Sequence, residues 1–250
     1  LINYATWFSY HRTRMKIAKA GASEAFNQLG NNVRVGYRSI WNRNNFDIPV
    51  QDGNDGLFEG TSRNTWFARL FAAEGSSTTP LIPALSRAGD MYDDTGASSP
   101  WGPETGTAQL ACRQNFTILT TDGFWNEGST SVGNSDNTAG ATIANPQGGN
   151  YTYAPAAPFK DEHSNTLADV AMEYWKTDLR PDQDNIIPTS AENTAFWQHM
   201  VTFGISIGLK GTVDQTSVAQ VLRDGRPRID GVAVDWPNPT DGENAERIDD

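Results

Sequence analysis

The sequence predicts an α/β three-layer sandwich, a mostly parallel sheet flanked by helices. Three observations carry this. Segments with apolar residues three and four positions apart alternate with short apolar runs, the pattern of parallel strands joined by helical crossovers. One run, Phe116 to Leu119, reaches two threonines and then Asp122-Gly123, which reads as a buried strand ending in a turn. A second run, Met200 to Leu209, puts Val201, Phe203, Ile205 and Ile207 on one side, the period of a strand. Ligands of open α/β sheets sit at the carboxyl ends of the strands, so Asp122 is a candidate to hold a metal ion or a substrate. The same Asp-Gly pair also reads as a plain turn whose carboxylate bonds only its own backbone.

The elements follow in order. Tyr10 to Leu29 reads as a helix, with Met15, Ala18, Ala22, Ala25 and Leu29 in one stripe and Gly30-Asn31 as its stop. Arg12, Arg14, Lys16 and Lys19 near its start read as a solvated face. Val33 to Trp41 alternates as a strand, and Gln51 to Gly56 reads as a turn. That turn lacks the glutamate an EF-hand calcium loop needs at its twelfth position, where Arg63 stands. Thr61 to Glu74 is predicted helical with Thr61 or Ser62 as cap, and Pro80 to about Tyr92 forms a further helix with Pro80 in its first turn. Thr79 then lies at a helix N-terminus, its hydroxyl placed to cap or to bind. Asn126 to Lys160 is a long polar segment rich in Gly, Asn, Thr, Ala and Pro, expected to stand over the Asp122 end of the sheet and to be removable without loss of the fold. Thr166 to Leu179 is helical, with Thr166 and Asp169 spaced as a capping box. Ser217 to Arg223 reads as a short helix and Asp230 to Trp236 as an edge strand.

Composition excludes several classes. The chain has 250 residues and a net charge of −11, so a basic nucleic-acid face is ruled against. No apolar run approaches the roughly 18 residues of a membrane span. Leu1 to Tyr4 do not form a signal peptide, so the chain is expected to be a mature start or a piece of something longer. Cys112 is the one cysteine, expected as a buried thiol within this chain or as half of a pair with a partner elsewhere. Scarce lysine and abundant Asn, Thr, Ser, Gly and Trp suit an extracytoplasmic protein. His-Glu-x-x-His, Gly-x-Ser-x-Gly and Gly-x-Gly-x-x-Gly are all absent, so zinc-protease, elbow-serine and dinucleotide chemistry lack their signals. The adjacent acids Asp93-Asp94 and Asp161-Glu162 cannot face each other across a sugar. The chain is therefore expected not to be an enzyme. The alternative is a secreted carbohydrate-active hydrolase or a carbohydrate-binding module, with Trp125, Tyr151 and Tyr153 as stacking platforms.

Two segments resemble the metal loops of von Willebrand factor type A domains. Thr78-Thr79-Pro80-Leu81-Ile82-Pro83-Ala84-Leu85 resembles their Thr-Pro-Leu loop, and Ile118-Leu119-Thr120-Thr121-Asp122-Gly123 their second metal-site loop. A fuller resemblance, over essentially the whole chain, is to the N-terminal part of the PilY family of type IV pilus tip adhesins and assembly proteins. Its phrases occur here in family order: Tyr4-Ala5-Thr6-Trp7-Phe8-Ser9-Tyr10, the run from Cys112 to Asn126, Ser164-Asn165-Thr166-Leu167-Ala168-Asp169-Val170-Ala171, and Phe196-Trp197-Gln198-His199-Met200-Val201-Thr202-Phe203.

The resemblance implies a Rossmann-like, type A-like domain over residues 1–236, with an insertion at about 126–160. Residues 237–250 would be a linker towards a following β-propeller. It implies adhesion and pilus assembly at the pilus tip, cell surface or outer membrane, with periplasmic transit. The implied partners are minor pilins and a host or abiotic surface ligand. It also implies Mg²⁺ or another divalent ion in a metal-ion-dependent adhesion site, with Thr79 and Asp122 among the ligands; hydroxyl and carboxylate oxygens suit that ion. The family's Asp-x-Ser-x-Ser is absent, and Asp214-Gln215-Thr216-Ser217 has neither its spacing nor its place. The first central strand and its ligands are then expected upstream of Leu1 or from another segment. That leaves an open slot in the sheet, unpaired strand edges, weak or absent metal binding in this chain alone, and Cys112 without an upstream partner.

Overall fold

Thr13 divides the first expected helix in two. In the computed structural model of the chain, which describes residues 1–48, 50, 55–75, 78–214, 218–242 and 244–249, α1 spans Ile2–His11 and α2 spans Arg14–Asn27. Thr13 has extended backbone angles and its side chain accepts from Lys16 N, so it caps α2 in place of continuing α1. The chain separates into two units: Leu1–Thr78 with Asp94–Gln109, and Thr79–Asp93 with Leu110–Asp250. Among the described residues no helix is long and apolar enough to cross a membrane. Residues 51–54 of the expected turn lie outside the described residues, as do 215–217.

The first unit holds α1, α2 and α3 (Gly60–Ala72). Its core is Phe58, Trp66 and Leu70, with Phe26 stacked on Trp66 at 4.4 Å. Val33, Val35 and Tyr37 pack on this cluster, so the alternation from residue 33 is real. Among the described residues no ladder forms there, however: the segment makes the isolated bridges Arg34–Leu57 and Tyr37–Phe46. Backbone from a loop and not a strand satisfies it, and Trp66 Nε1 donates to Gly36 O at 3.0 Å. α3 is preceded by Glu59, not capped by Thr61 or Ser62; Ser62 is buried. Arg63 on α3 donates to the Asn27 and Leu29 carbonyls, closing the C-terminal end of α2 with a cation, as the helix dipole favours.

The second unit is built on a parallel pair. β1 (Asn115–Thr121) lies beside β4 (Met200–Ser206) in the register Phe116–Val201, Ile118–Phe203 and Thr120–Ile205. α4 (Leu81–Asp93) and α5 (Leu167–Lys176) pack against each other and the pair. Tyr92 of α4 donates to Phe116 O at 3.0 Å. The two helices approach closely at Gly89, where a Cβ would lie 2.3 Å from the Tyr174 ring. The parallel, helix-flanked arrangement is an α/β one, as expected. The sheet is smaller than expected: among the described residues neither strand pairs with a third, and the other strands form two antiparallel hairpins. These are β2 (Thr142–Ala144) with β3 (Asn150–Thr152), and β5 (Arg228–Ile229) with β6 (Val232–Ala233). Asp230 and Gly231 both have positive φ, which gives the last hairpin a two-residue primed turn in place of the single edge strand. The short helices α6 (Val218–Asp224) and α7 (Glu246–Asp249) complete the unit.

Parallel sheets are ordinarily covered on both faces. Here Phe116, Ile118, Phe203 and Ile205 share one face of β1–β4 and are 48–52% exposed, with Phe116 stacked on Phe203 at 6.2 Å.

His199, just before β4, is buried and held at both ring nitrogens. Nδ1 meets Trp197 O at 2.6 Å and Nε2 meets Asn193 Nδ2 at 2.8 Å. The carbonyl requires a proton on Nδ1 and the amide requires a bare Nε2, so the ring is neutral. Burial lowers its pKa. The unfolded chain, with an ordinary pKa of about 6.5, takes up the proton first, so this contribution to stability is present above that value and lost as pH falls through it. The urea midpoint is expected to fall between about pH 7 and pH 5 by more in the native chain than in His199→Gln. Equal falls in the two proteins would refute this.

Candidate functional site

β1 ends in a turn closed by Thr121, whose hydroxyl accepts from Gly123 N at 3.1 Å and donates to Gly123 O at 2.8 Å. This local closure turns the chain at Asp122, which is exposed. Thr79, half-buried just ahead of α4, is held against the same loop by a reciprocal pair. Thr79 N donates to Asn126 Oδ1 at 2.7 Å, and Asn126 N donates to Thr79 O at 3.2 Å. Gly123 permits this approach, because a Cβ there would lie 3.0 Å from Thr79 Oγ1. Thr79 and the Asp122 loop thus meet at the carboxyl end of β1. Asn126, which holds them together, has no local signature in the sequence; its role is visible only once residue 79 is beside it.

Mg²⁺ demands a near-octahedral set of oxygens, some of them water. Of the expected ligands this end of the sheet holds Thr79 and Asp122, while the nearby Thr121 hydroxyl is engaged with Gly123. Among the described residues no group of three His, Cys, Asp or Glu side chains is placed to hold a metal ion. Among the described residues, the expected pair Thr79 and Asp122 is short of that ligand set.

The aromatic candidates divide. Trp125 is half-buried beside the Asp122 loop, with the Arg247 guanidinium 4.6 Å over its ring and Arg247 Nη1 donating to its carbonyl at 2.9 Å. Tyr153 is 5% exposed, with its hydroxyl on Asp136 O at 2.6 Å, so it does not offer a stacking face. Burial pushes its phenol up to about 12. Tyr151 stacks on Trp197 at 4.7 Å. Both tyrosines tie the 126–160 segment into the unit. Ile143 joins Trp197 and Ala195 in a buried cluster, while Lys176 Nζ on α5 donates to Ser135 O and Thr138 O. The segment is therefore not a removable polar loop. It supplies core side chains, and several of its buried polar groups bond to Asp169, Glu173 and Lys176 of α5. Cys112 is corrected too: its thiol is exposed, in the turn that precedes β1.

Comparison with curated proteins finds three related sequences. Over 265 residues, 94% of this chain, it is 34% identical to the type IV pilus biogenesis factor PilY1 of Pseudomonas aeruginosa strain PAK. Over 233 residues, 83% of the chain, it is 37% identical to PilY1 of strain PAO1. The chain is homologous to a segment of PilY1. It spans about one fifth of the length of these PilY1 proteins, 22% and 20%. No family model matches the chain. No solved structure matches it.

Proposed function

We propose that the chain is a module of a type IV pilus biogenesis factor that acts at the pilus tip, on the cell surface, without enzymatic activity. The observation that carries this is the identity with PilY1 along 94% of the chain. We further propose a von Willebrand factor type A-like sandwich over residues 1–236, with 237–250 leading towards a further domain. The parallel β1–β4 pair supports it, as do two loops meeting at its carboxyl end. The half-exposed Phe116, Ile118, Phe203 and Ile205 fit a sheet that receives a further strand and its cover from another segment. That segment would also bring the missing oxygen ligands. With them, Thr79 and Asp122 would hold Mg²⁺ or another divalent ion, which supplies an open position for a partner's acidic group. Minor pilins and a surface ligand are the partners in this reading.

In the organism that makes the full-length protein, removing it is expected to abolish surface pili. Wild-type piliation in its absence would reject the pilus reading. Asp122→Ala in the full-length protein is expected to lower Mg²⁺ affinity by calorimetry more than about tenfold. It should reduce adhesion while pili are still displayed, because Asp122 is exposed. Unchanged Mg²⁺ affinity would remove the metal edge and leave the pilus reading standing.

A further inference from the structure

The turn of the β2–β3 hairpin and residues 185–196 line an open cavity of about 360 Å³. No residue that lines it is charged. The hairpin side is lined by the carboxamide residues Asn145 and Gln147, and the other side by the hydroxyl residues Thr189 and Thr194 with the apolar Ile186 and Phe196. The walls are tied together: Asn185 Nδ2 donates to Ala144 O at 3.1 Å. The amide wall is held in place as well, because Asn145 Oδ1 accepts from Gln147 N at 2.9 Å and Asn145 N donates to Gly149 O at 3.0 Å. Phe196 is held edge-on to Trp197 at 5.2 Å. The cavity is thus preformed, which lowers the ordering cost of binding.

We propose that this cavity is a binding subsite for a neutral sugar, one or two pyranose rings of a glycan. Its volume lies at the small end of ligand sites, about 300–1,000 Å³. Carboxamides and hydroxyls donate and accept at once, as a sugar's hydroxyls require, and an aromatic ring offers a face to pyranose C–H groups. A lining without charge gives a phosphate, a carboxylate or a cation nothing to pair with. An extended peptide is a poorer match, since it binds by main-chain hydrogen bonds to a free strand edge. The backbone here is already engaged: Ile187 N donates to Phe196 O at 2.9 Å and Ser190 N to Asn193 O at 2.8 Å. The site uses neither Thr79 nor Asp122, so its fate is separate from that of the metal edge.

The test is a glycan array followed by titration of the full-length protein with the neutral sugars glucose, galactose and N-acetylglucosamine and their short oligomers. At least one is expected to bind saturably at millimolar concentration or below. Affinity should fall at least about tenfold in Gln147→Ala and in Thr194→Ala. Both residues are exposed, and the bond by which Gln147 holds the turn comes from its backbone, so the fold should be retained by circular dichroism. No saturable binding of any neutral glycan would overturn the proposal. So would binding that survives both substitutions, binding confined to sialylated or sulfated glycans, or a neutral peptide occupying the site in their place.

Discussion

Asp169→Ala is expected to destabilise the chain by about 3–5 kcal/mol, read as a lower urea midpoint. The side chain of Asp169 is fully buried. Its carboxylate accepts from Thr166 N at 3.0 Å and Thr166 Oγ1 at 3.2 Å, the reciprocal half of the α5 capping box. It also accepts from Ser135 N at 2.6 Å and Asp136 N at 3.4 Å, 34 and 33 residues away. One residue therefore both starts a helix and anchors the polar segment to it. Loss of an N-terminal cap alone costs about 1 kcal/mol. Each buried donor left unsatisfied adds about 1–3 kcal/mol, less whatever entering water recovers. Asp169→Asn keeps one acceptor oxygen and should lie between the native and alanine proteins. Amide exchange at Ser135 and Asp136 should accelerate in the alanine variant. A loss under about 1 kcal/mol would show that these donors find other partners and that the anchor lies elsewhere.

That anchor also shows what the sequence can carry. The capping box was legible because it is local: Thr166 and Asp169 are three residues apart, and their spacing has one common use. β1 and β4 were legible because a period of two sorts side chains to faces whatever the partner. The split at Thr13 was not, since the residues on either side favour a helix and a threonine among them reads as a weak former until its side chain is seen on Lys16 N. Residues 33–41 show the converse error. Alternation reports which side chains turn inward, not whether a strand lies alongside, and among the described residues only isolated bridges do here. Composition failed most at 126–160. Ser135 and Asp136 are about 1% exposed, and polar residues can be buried only with partners. Those partners, Asp169, Glu173 and Lys176, come from a helix some 35–40 residues later. The candidate site follows the same rule: Asp122-Gly123 announced its turn, while the Asn126 clamp on Thr79 spans 47 residues.

Trp197→Ala is expected to cost about 3–5 kcal/mol, the range for a large buried aromatic. Trp197 is 0% exposed. It stacks on Tyr151 at 4.7 Å, meets Trp175 at 5.5 Å and Phe196 at 5.2 Å edge-on, and packs with Ile143 and Ala195. Its Nε1 donates to Trp175 O at 2.9 Å. Three parts of the second unit therefore share one indole: the β2–β3 hairpin, α5 and the residues leading into β4. At roughly 2–4 °C per kcal/mol for a chain of this size, the melting temperature should fall by about 10 °C. Near-ultraviolet circular dichroism should weaken with it, and exchange should quicken at Ile143 and Tyr151. Two contributions can be separated. Trp197→Phe keeps ring faces for Tyr151 and Trp175 but gives up the N–H bond, a net contribution of about 1 kcal/mol, so it should recover more than half of the alanine loss. If phenylalanine proves as damaging as alanine, the hydrogen bond and not the ring volume holds the hairpin. The 126–160 segment would then be fastened by polar groups at both Asp169 and Trp197, with its apolar residues secondary.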